Sequence, residues 1–90
     1  MIKSVSIQVT GKVQGVFFRA STKEKADELG AKGIVRNEAD GSVYIEAEGE
    51  VRVVDTFIDW CKKGPPRAKV NECLVKDIPL QNFKDFTIQR

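Results

Sequence analysis

The spacing of hydrophobic residues changes several times along this chain, and the order of these changes limits the folds that it can adopt. In residues 5–9, Val and Ile alternate with polar residues, which predicts a strand with one buried face. In residues 18–29 the apolar side chains recur at helical spacing, and Gly30 is a suitable C-cap. The chain therefore begins with a strand that leads into an amphipathic helix.

A hairpin and a second helix follow. Residues 34–37 and 43–47 have strand patterns on either side of a turn at Asp40-Gly41. A second amphipathic helix is predicted over residues 51–61, and Gly64-Pro65-Pro66 ends it abruptly. These segments place two antiparallel strands between two helices.

Extended segments around residues 68–76 and 83–89 complete the pattern. The order strand, helix, strand, strand, helix, strand predicts an α+β domain of the ferredoxin-like βαββαβ type. This is a two-layer sandwich in which an antiparallel sheet carries two helices on one face. A chain of 90 residues is long enough for one such domain, which we expect to span residues 1–90.

Charge and hydrophobicity argue against several classes of partner. The net charge is +2, with no polybasic tail, so we expect no nucleic-acid partner. The first nine residues lack the apolar run of a signal peptide, and no later run is long enough to span a membrane. We expect a cytoplasmic monomer with no membrane partner.

The chain has no histidine, so both the usual general base at neutral pH and the commonest metal ligand are missing. Its two cysteines, Cys61 and Cys73, lack the paired spacing of a zinc site. We therefore expect no metal and no other cofactor, and a reaction that proceeds without histidine.

The stretch GKVQGVFFR connects the first strand to the first helix. Gly11 and Gly15 permit a tight loop whose amides converge on one point, where the helix dipole adds a positive field. Arg19, in the first helical turn, would bind two phosphoryl oxygens with its planar guanidinium group. The alternative is a tight connection followed by a surface arginine. From this stretch alone we give the two interpretations equal weight.

Asn37, at the end of the second strand, is a second candidate. An Asn in this position is most often a turn residue. Its side-chain amide is also suited to hold a water in line with a phosphorus atom bound at Arg19. Arg36 and Glu38 rank lower, because strand alternation directs them to the opposite face.

At this point the residues resemble the acylphosphatase family. GKVQGVFFR matches the first signature of that family, Gly-x-Val-Gln-Gly-Val-x-Phe-Arg, at every fixed position. GIVRNEADGSVYIEAEG, residues 33–49, is similar to the second signature. The chain differs where Ile34 replaces the usual aromatic residue, and where it ends in Gln89-Arg90 instead of Tyr. We expect altered packing at Ile34.

The resemblance implies a function and a set of site residues. Acylphosphatases hydrolyse acyl phosphates to a carboxylate and inorganic phosphate, so these are the small-molecule partners that it implies. Arg19 and Asn37 take the catalytic positions, binding phosphate and orienting water respectively. The implied phosphate-binding set consists of Arg19 and the backbone of Gln14, Gly15, Val16, Phe17 and Phe18.

Two other functions are open to a domain of this topology. An RNA-binding module needs aromatic and basic residues on the exposed sheet face, whereas this face offers Tyr44 beside Glu46 and Glu48. A regulatory domain would bind phosphate or carbamoyl phosphate for a larger enzyme without hydrolysing it. We expect hydrolysis in preference to both.

Overall fold

The computed structural model describes residues 1–89, and Arg90 lies outside the described residues. Seven elements follow one another in the order expected, and the last of them is one strand more than a βαββαβ domain contains. They are β1 (Ile2–Lys12), α1 (Phe18–Leu29), β2 (Lys32–Asn37), β3 (Val43–Glu50), α2 (Val51–Lys63), β4 (Lys69–Ile78) and β5 (Phe86–Ile88).

The strands form one sheet in the order β4-β1-β3-β2-β5. The first four are antiparallel to their neighbours, and β5 pairs in parallel with β2. Both helices contact the sheet and each other, so they lie on the same face. The predicted ferredoxin-like α+β class is confirmed, with the short parallel strand as an addition to the antiparallel sheet.

The core lies between the sheet and the two helices. Strand alternation places Val5, Ile7 and Val9 of β1 inward, and all three are fully buried. The ring of Phe57 in α2 meets the ring of Phe86 in β5 edge to face, with centroids 5.8 Å apart. On α1 the residues at helical spacing are Phe18, Thr22, Ala26 and Leu29; the first three are buried, and Leu29 is half-buried against the core. The apolar periodicity therefore identified the helix-covered face correctly.

Two ends of elements match their sequence signals. α1 ends at Gly30, whose left-handed backbone donates a hydrogen bond to the Ala26 carbonyl oxygen at 2.8 Å. α2 ends at Lys63, directly before Gly64.

Cys61 is buried and Cys73 half-buried, and both are free thiols. Among residues 1–89, no helix is long and apolar enough to cross a membrane.

The last strand is shorter than predicted. The segment expected to be extended from residue 83 onward enters the sheet only at Phe86–Ile88. Before it, the amides of Gln81, Asn82 and Phe83 donate hydrogen bonds to the carboxylate of Glu48. These amides are directed at a side chain and not at a neighbouring strand, which prevents an earlier start of β5.

Candidate active site

A cavity of about 440 Å³ opens at the edge of the sheet where β1 and β2 end. Both strands pair antiparallel with β3, and Val9 and Asn37 share the partner Val43. β1 and β2 therefore run in the same direction, and their C-terminal ends lie at the same end of the sheet, one on each side of β3. The residues that line the cavity are Val13, Gln14, Gly15, Phe17, Phe18, Arg19, Ala20, Asn37 and Ile88. The two predicted catalytic residues, distant in sequence, thus share one cavity.

The loop between β1 and α1 is curled, as expected, and both glycines adopt the positive φ that other residues rarely tolerate, although Gly11, at 121°, lies in β1 and not in the loop itself. Gly15 has a φ of 74°, and Phe17 also lies in the left-handed region, at 63°. Gly11 belongs to β1, where the pairing with β4 shifts by a bulge. A Cβ on Gly11 would collide with the backbone of β4, so this glycine permits close strand contact and does not curl the loop.

The loop leaves several backbone N–H groups without partners among the residues that the structure describes. Among residues 1–89, no acceptor takes a hydrogen bond from the backbone amides of residues 14–18. Phe17 occupies the N-cap of α1 and provides no side-chain cap, and the first turn carries no acidic residue. The positive end of the helix is therefore not neutralised locally and favours an anion.

Arg19 is half-buried on the wall of the cavity, in the first turn of α1. Within the described residues, no carboxylate forms an ion pair with Arg19. In contrast, Lys23 of the same helix pairs with Asp27, and Lys25 pairs with Glu28. An unpaired guanidinium group beside unpaired amides provides donors for the oxygens of a phosphoryl group.

Asn37 ends β2, and its side chain lies on the face of the sheet that the helices cover. Its Oδ1 atom is buried and accepts no hydrogen bond from residues 1–89. It does not have a positive φ, so a left-handed turn does not account for its presence. A buried amide oxygen without a donor is costly unless a water or ligand supplies one.

The neighbours of Asn37 point away from the cavity, as alternation predicts. The guanidinium group of Arg36 stacks over the ring of Tyr44, 4.6 Å from its centroid, and its Nε donates to Glu38 at 3.0 Å. Ile34 is buried beside Glu46 on the same side of the sheet. The substitution of Ile for an aromatic residue therefore lies away from the cavity.

Gln14 has a side-chain contact that the sequence did not indicate. Its Nε2 donates to the carbonyl oxygens of Glu38 at 2.8 Å and Ser42 at 2.9 Å, on either side of the β2–β3 turn. Within this turn, hydrogen bonds from Ser42 to the exposed Asp40 carboxylate lower the pKa of Asp40. Gln14 thus connects the loop before α1 to the turn that follows Asn37.

The other predicted loop residues occupy two environments. Gly15, Phe17 and Phe18 line the cavity together with Gln14, whereas the side chain of Val16 is buried in the core. Ile88 also lines the cavity and was not predicted as a site residue. Its alternation with Phe86 was the available signal, since it places both residues on the helix-covered face of β5.

Comparison with known proteins agrees with the geometry. The model of the acylphosphatase family matches residues 5–88. The chain belongs to the acylphosphatase family. The enzymes of this family hydrolyse acyl phosphates, so an acyl phosphate is the class of substrate and inorganic phosphate the product.

Individual acylphosphatases are similar over nearly the whole chain. An acylphosphatase from Marinobacter nauticus is 52% identical over 79 residues, which cover 87% of this chain and 86% of the relative. The structure of an acylphosphatase from Coxiella burnetii matches with a TM-score of 0.94 and 36% identity, covering 98% of this chain and 93% of that one. Full-length HypF, in a phosphate- and nucleotide-bound form, matches with a TM-score of 0.89 and 33% identity, but only over 12% of its length.

Proposed function

We propose that Arg19, Asn37 and the amides of residues 14–18 hydrolyse the carboxyl–phosphate bond of an acyl phosphate within this cavity. We also propose that the protein is a cytoplasmic monomer and that the reaction uses no metal or other cofactor. The observation that carries the proposed hydrolysis is that Arg19 and Asn37 share one cavity. Among residues 1–89, no carboxylate pairs with Arg19 and no donor reaches the buried Oδ1 of Asn37.

The phosphoryl group binds between the loop amides and Arg19. The guanidinium group donates two parallel hydrogen bonds to phosphoryl oxygens, and the amides donate to the others. Phosphoryl transfer passes through a loose transition state with charge on these oxygens, so fixed donors lower the barrier directly. The N-terminus of α1 adds a favourable field at the same position.

Asn37 positions the nucleophile. Its Oδ1 accepts a hydrogen bond from a water molecule, which directs a lone pair of the water oxygen at phosphorus. As the new P–O bond forms, the bond to the acyl oxygen breaks and a carboxylate leaves. A carboxylate is a weak base that needs no proton to depart. The proton of the water passes to a phosphoryl oxygen, which is consistent with a chain that has no histidine.

The test follows the ultraviolet absorbance of benzoyl phosphate during hydrolysis by the wild type, Arg19→Ala and Asn37→Ala, with inorganic phosphate as competitor. We expect Arg19→Ala to lose turnover and phosphate inhibition together. Asn37→Ala should lose turnover while phosphate still binds, because the lost contact is to water. The matched control is Asn71→Ala, which changes an exposed asparagine of β4.

Either of two results would contradict the assigned roles. If the folded wild-type protein left benzoyl phosphate intact, the proposed hydrolysis would be excluded and the chain would be a phosphate-binding domain. Equal loss of phosphate affinity in both variants would show that Asn37 contacts the anion and not the water.

A chelator added to each assay tests the metal-independent part of the proposal, since we expect it to leave the rate unchanged.

A further inference from the structure

The cavity is larger than a phosphoryl group and one water require. Its volume is about 440 Å³, whereas a water molecule takes up about 30 Å³ in the liquid. Volumes of this size are typical of sites that enclose a small organic ligand. Arg19 and Asn37 account for the polar end, and the remaining wall includes the apolar side chains of Phe17 and Ile88. The rest of the substrate must therefore lie against apolar groups.

Phe17 is the unusual residue of this wall. It is 69% exposed, although exposure of a phenyl ring forgoes the hydrophobic stabilisation that burial would supply. Its φ of 63° is in the left-handed region, where a bulky side chain is strained and Asn or Gly is tolerated more easily. It also stands at the N-cap without capping the helix. Neither packing, backbone preference nor capping accounts for a phenylalanine here.

The position of the ring suggests a ligand contact. Phe17 lines the cavity that binds phosphate in the proposed function, together with Phe18 and Arg19. Ile88, on β5, is 39% exposed and lines the same cavity. The guanidinium group of Arg67 lies 6.0 Å from the centroid of the Phe17 ring, at the outer limit of a cation–π contact.

We propose that Phe17 and Ile88 form a binding site for the acyl group and select acyl phosphates whose acyl group is aromatic or otherwise bulky and apolar. This inference rests on the proposed function, because the acyl group is located by the phosphoryl group at Arg19. The acyl group lies against the Phe17 ring and the Ile88 side chain, and it removes exposed apolar surface from water. An acetyl group is too small to cover either side chain.

The experiment compares kcat/KM for benzoyl phosphate with kcat/KM for acetyl phosphate in the wild type, Phe17→Ala, Phe17→Leu and Ile88→Ala. The ratio within each variant cancels the intrinsic difference in reactivity between the two substrates. We expect the ratio to fall about tenfold in Phe17→Ala, at the lower end of the effect of one methylene contact, and by a smaller factor in Ile88→Ala. Phe17→Leu should retain most of it. The loss should appear mainly in KM, because the acyl contact is similar in the ground and transition states.

Two controls separate contact from loop geometry. Phe17→Gly removes the ring together with the backbone strain, and its ratio should fall as far as that of Phe17→Ala. Leu80→Ala changes a side chain that is 54% exposed and does not line the cavity, and it should leave both substrates unaffected. A ratio that is unchanged in Phe17→Ala and Ile88→Ala, or an equal loss on both substrates, would overturn the acyl site while leaving hydrolysis intact. A wild type that cleaves neither substrate would overturn the proposed function and the acyl site together.

Discussion

The side-chain Nε2 of Gln14 lies 2.8 Å from the carbonyl oxygen of Glu38, although 24 residues separate them in the sequence. A second hydrogen bond of the same amide reaches the carbonyl oxygen of Ser42 at 2.9 Å. Gln14 belongs to the loop that precedes Arg19, and Glu38 follows Asn37 directly. One side-chain amide therefore links the two segments that carry the proposed phosphate-binding and water-orienting groups.

Replacement of Gln14 with Ala should reduce kcat more than it reduces phosphate affinity. The loop would keep its own backbone shape, but its distance from Asn37 would no longer be held. Both carbonyl oxygens retain a backbone donor, Gly41 N–H for Glu38 and Glu38 N–H for Ser42, so the free energy of unfolding should fall by only about 1–2 kcal/mol. Steady-state hydrolysis of benzoyl phosphate and urea unfolding measure the two effects.

Gln8→Ala is the matched control for this change. Gln8 donates to the hydroxyl of the same Ser42 at 3.3 Å, but from β1 and outside the cavity. We expect it to leave kcat unchanged. If Gln8→Ala and Gln14→Ala reduced kcat equally, the relevant feature would be the general stability of the turn and not the link between the two segments.

The Gln14 contact also shows what the sequence could not predict. Arg19 and Asn37 were identified because each stands at a recognisable end of an element, and the parallel directions of β1 and β2 bring those ends together. The hydrogen bonds of Gln14 depend on how closely the loop approaches the β2–β3 turn. No local sequence pattern encodes that distance. The sequence therefore predicted a role for the backbone amide of Gln14 but not the hydrogen bonds of its side chain.

The burial of Glu48 is a feature of the fold that the sequence pattern also did not predict. Alternation along β3 places Glu48 on the face opposite the helices, where a carboxylate is expected in solvent. It is instead 7% exposed, because residues 81–83 direct their amides at it. Periodicity identifies the face on which a side chain lies, but not the loop that later covers it.

Substitution of Arg19 with Lys should lower kcat/KM by about 10- to 100-fold. Lys keeps the positive charge but cannot donate two parallel hydrogen bonds, and a lost charged hydrogen bond costs about 1.5–3 kcal/mol. Hydrolysis of benzoyl phosphate measures the effect. Arg36→Lys is the matched control, since Arg36 stacks on Tyr44 on the opposite face of the sheet and should tolerate the change. Equal activity of Arg19→Lys and the wild type would exclude bidentate binding.

Tyr44 should titrate at unusually high pH. Burial, and then the hydrogen bond of its hydroxyl to Glu46 at 2.6 Å, raise the pKa of Tyr44 from 10.0 to about 12. Between pH 10 and 12 the unfolded chain loses this proton while the folded chain keeps it, so stability falls as the pH rises. Tyr44 is the only tyrosine of the chain, so phenolate absorbance reports its titration alone.

Glu46→Gln tests the cause of this pKa. The substitution removes a negative charge and a charged acceptor next to the Tyr44 hydroxyl, so the pKa should move toward 10. The control is Glu38→Gln, because Glu38 pairs with Arg36 and does not contact the hydroxyl. An absorbance titration with the same midpoint in the wild type and Glu46→Gln would assign the whole shift to burial.

Glu48→Gln should destabilise the protein by about 2–4 kcal/mol, because an uncharged amide replaces a buried carboxylate that accepts three backbone hydrogen bonds. Its new NH₂ group would also face backbone N–H groups. Urea unfolding measures this loss, and hydrogen exchange should show faster exchange at residues 81–83 and in β5. Glu46→Gln, which changes the same residue type on the same face of β3, should cost less than half as much. Since β5 carries Ile88, release of residues 81–88 should also lower the preference for benzoyl over acetyl phosphate. A Glu48→Gln variant with wild-type stability and unchanged hydrogen exchange at residues 81–83 would mean that the Glu48 carboxylate does not hold this loop.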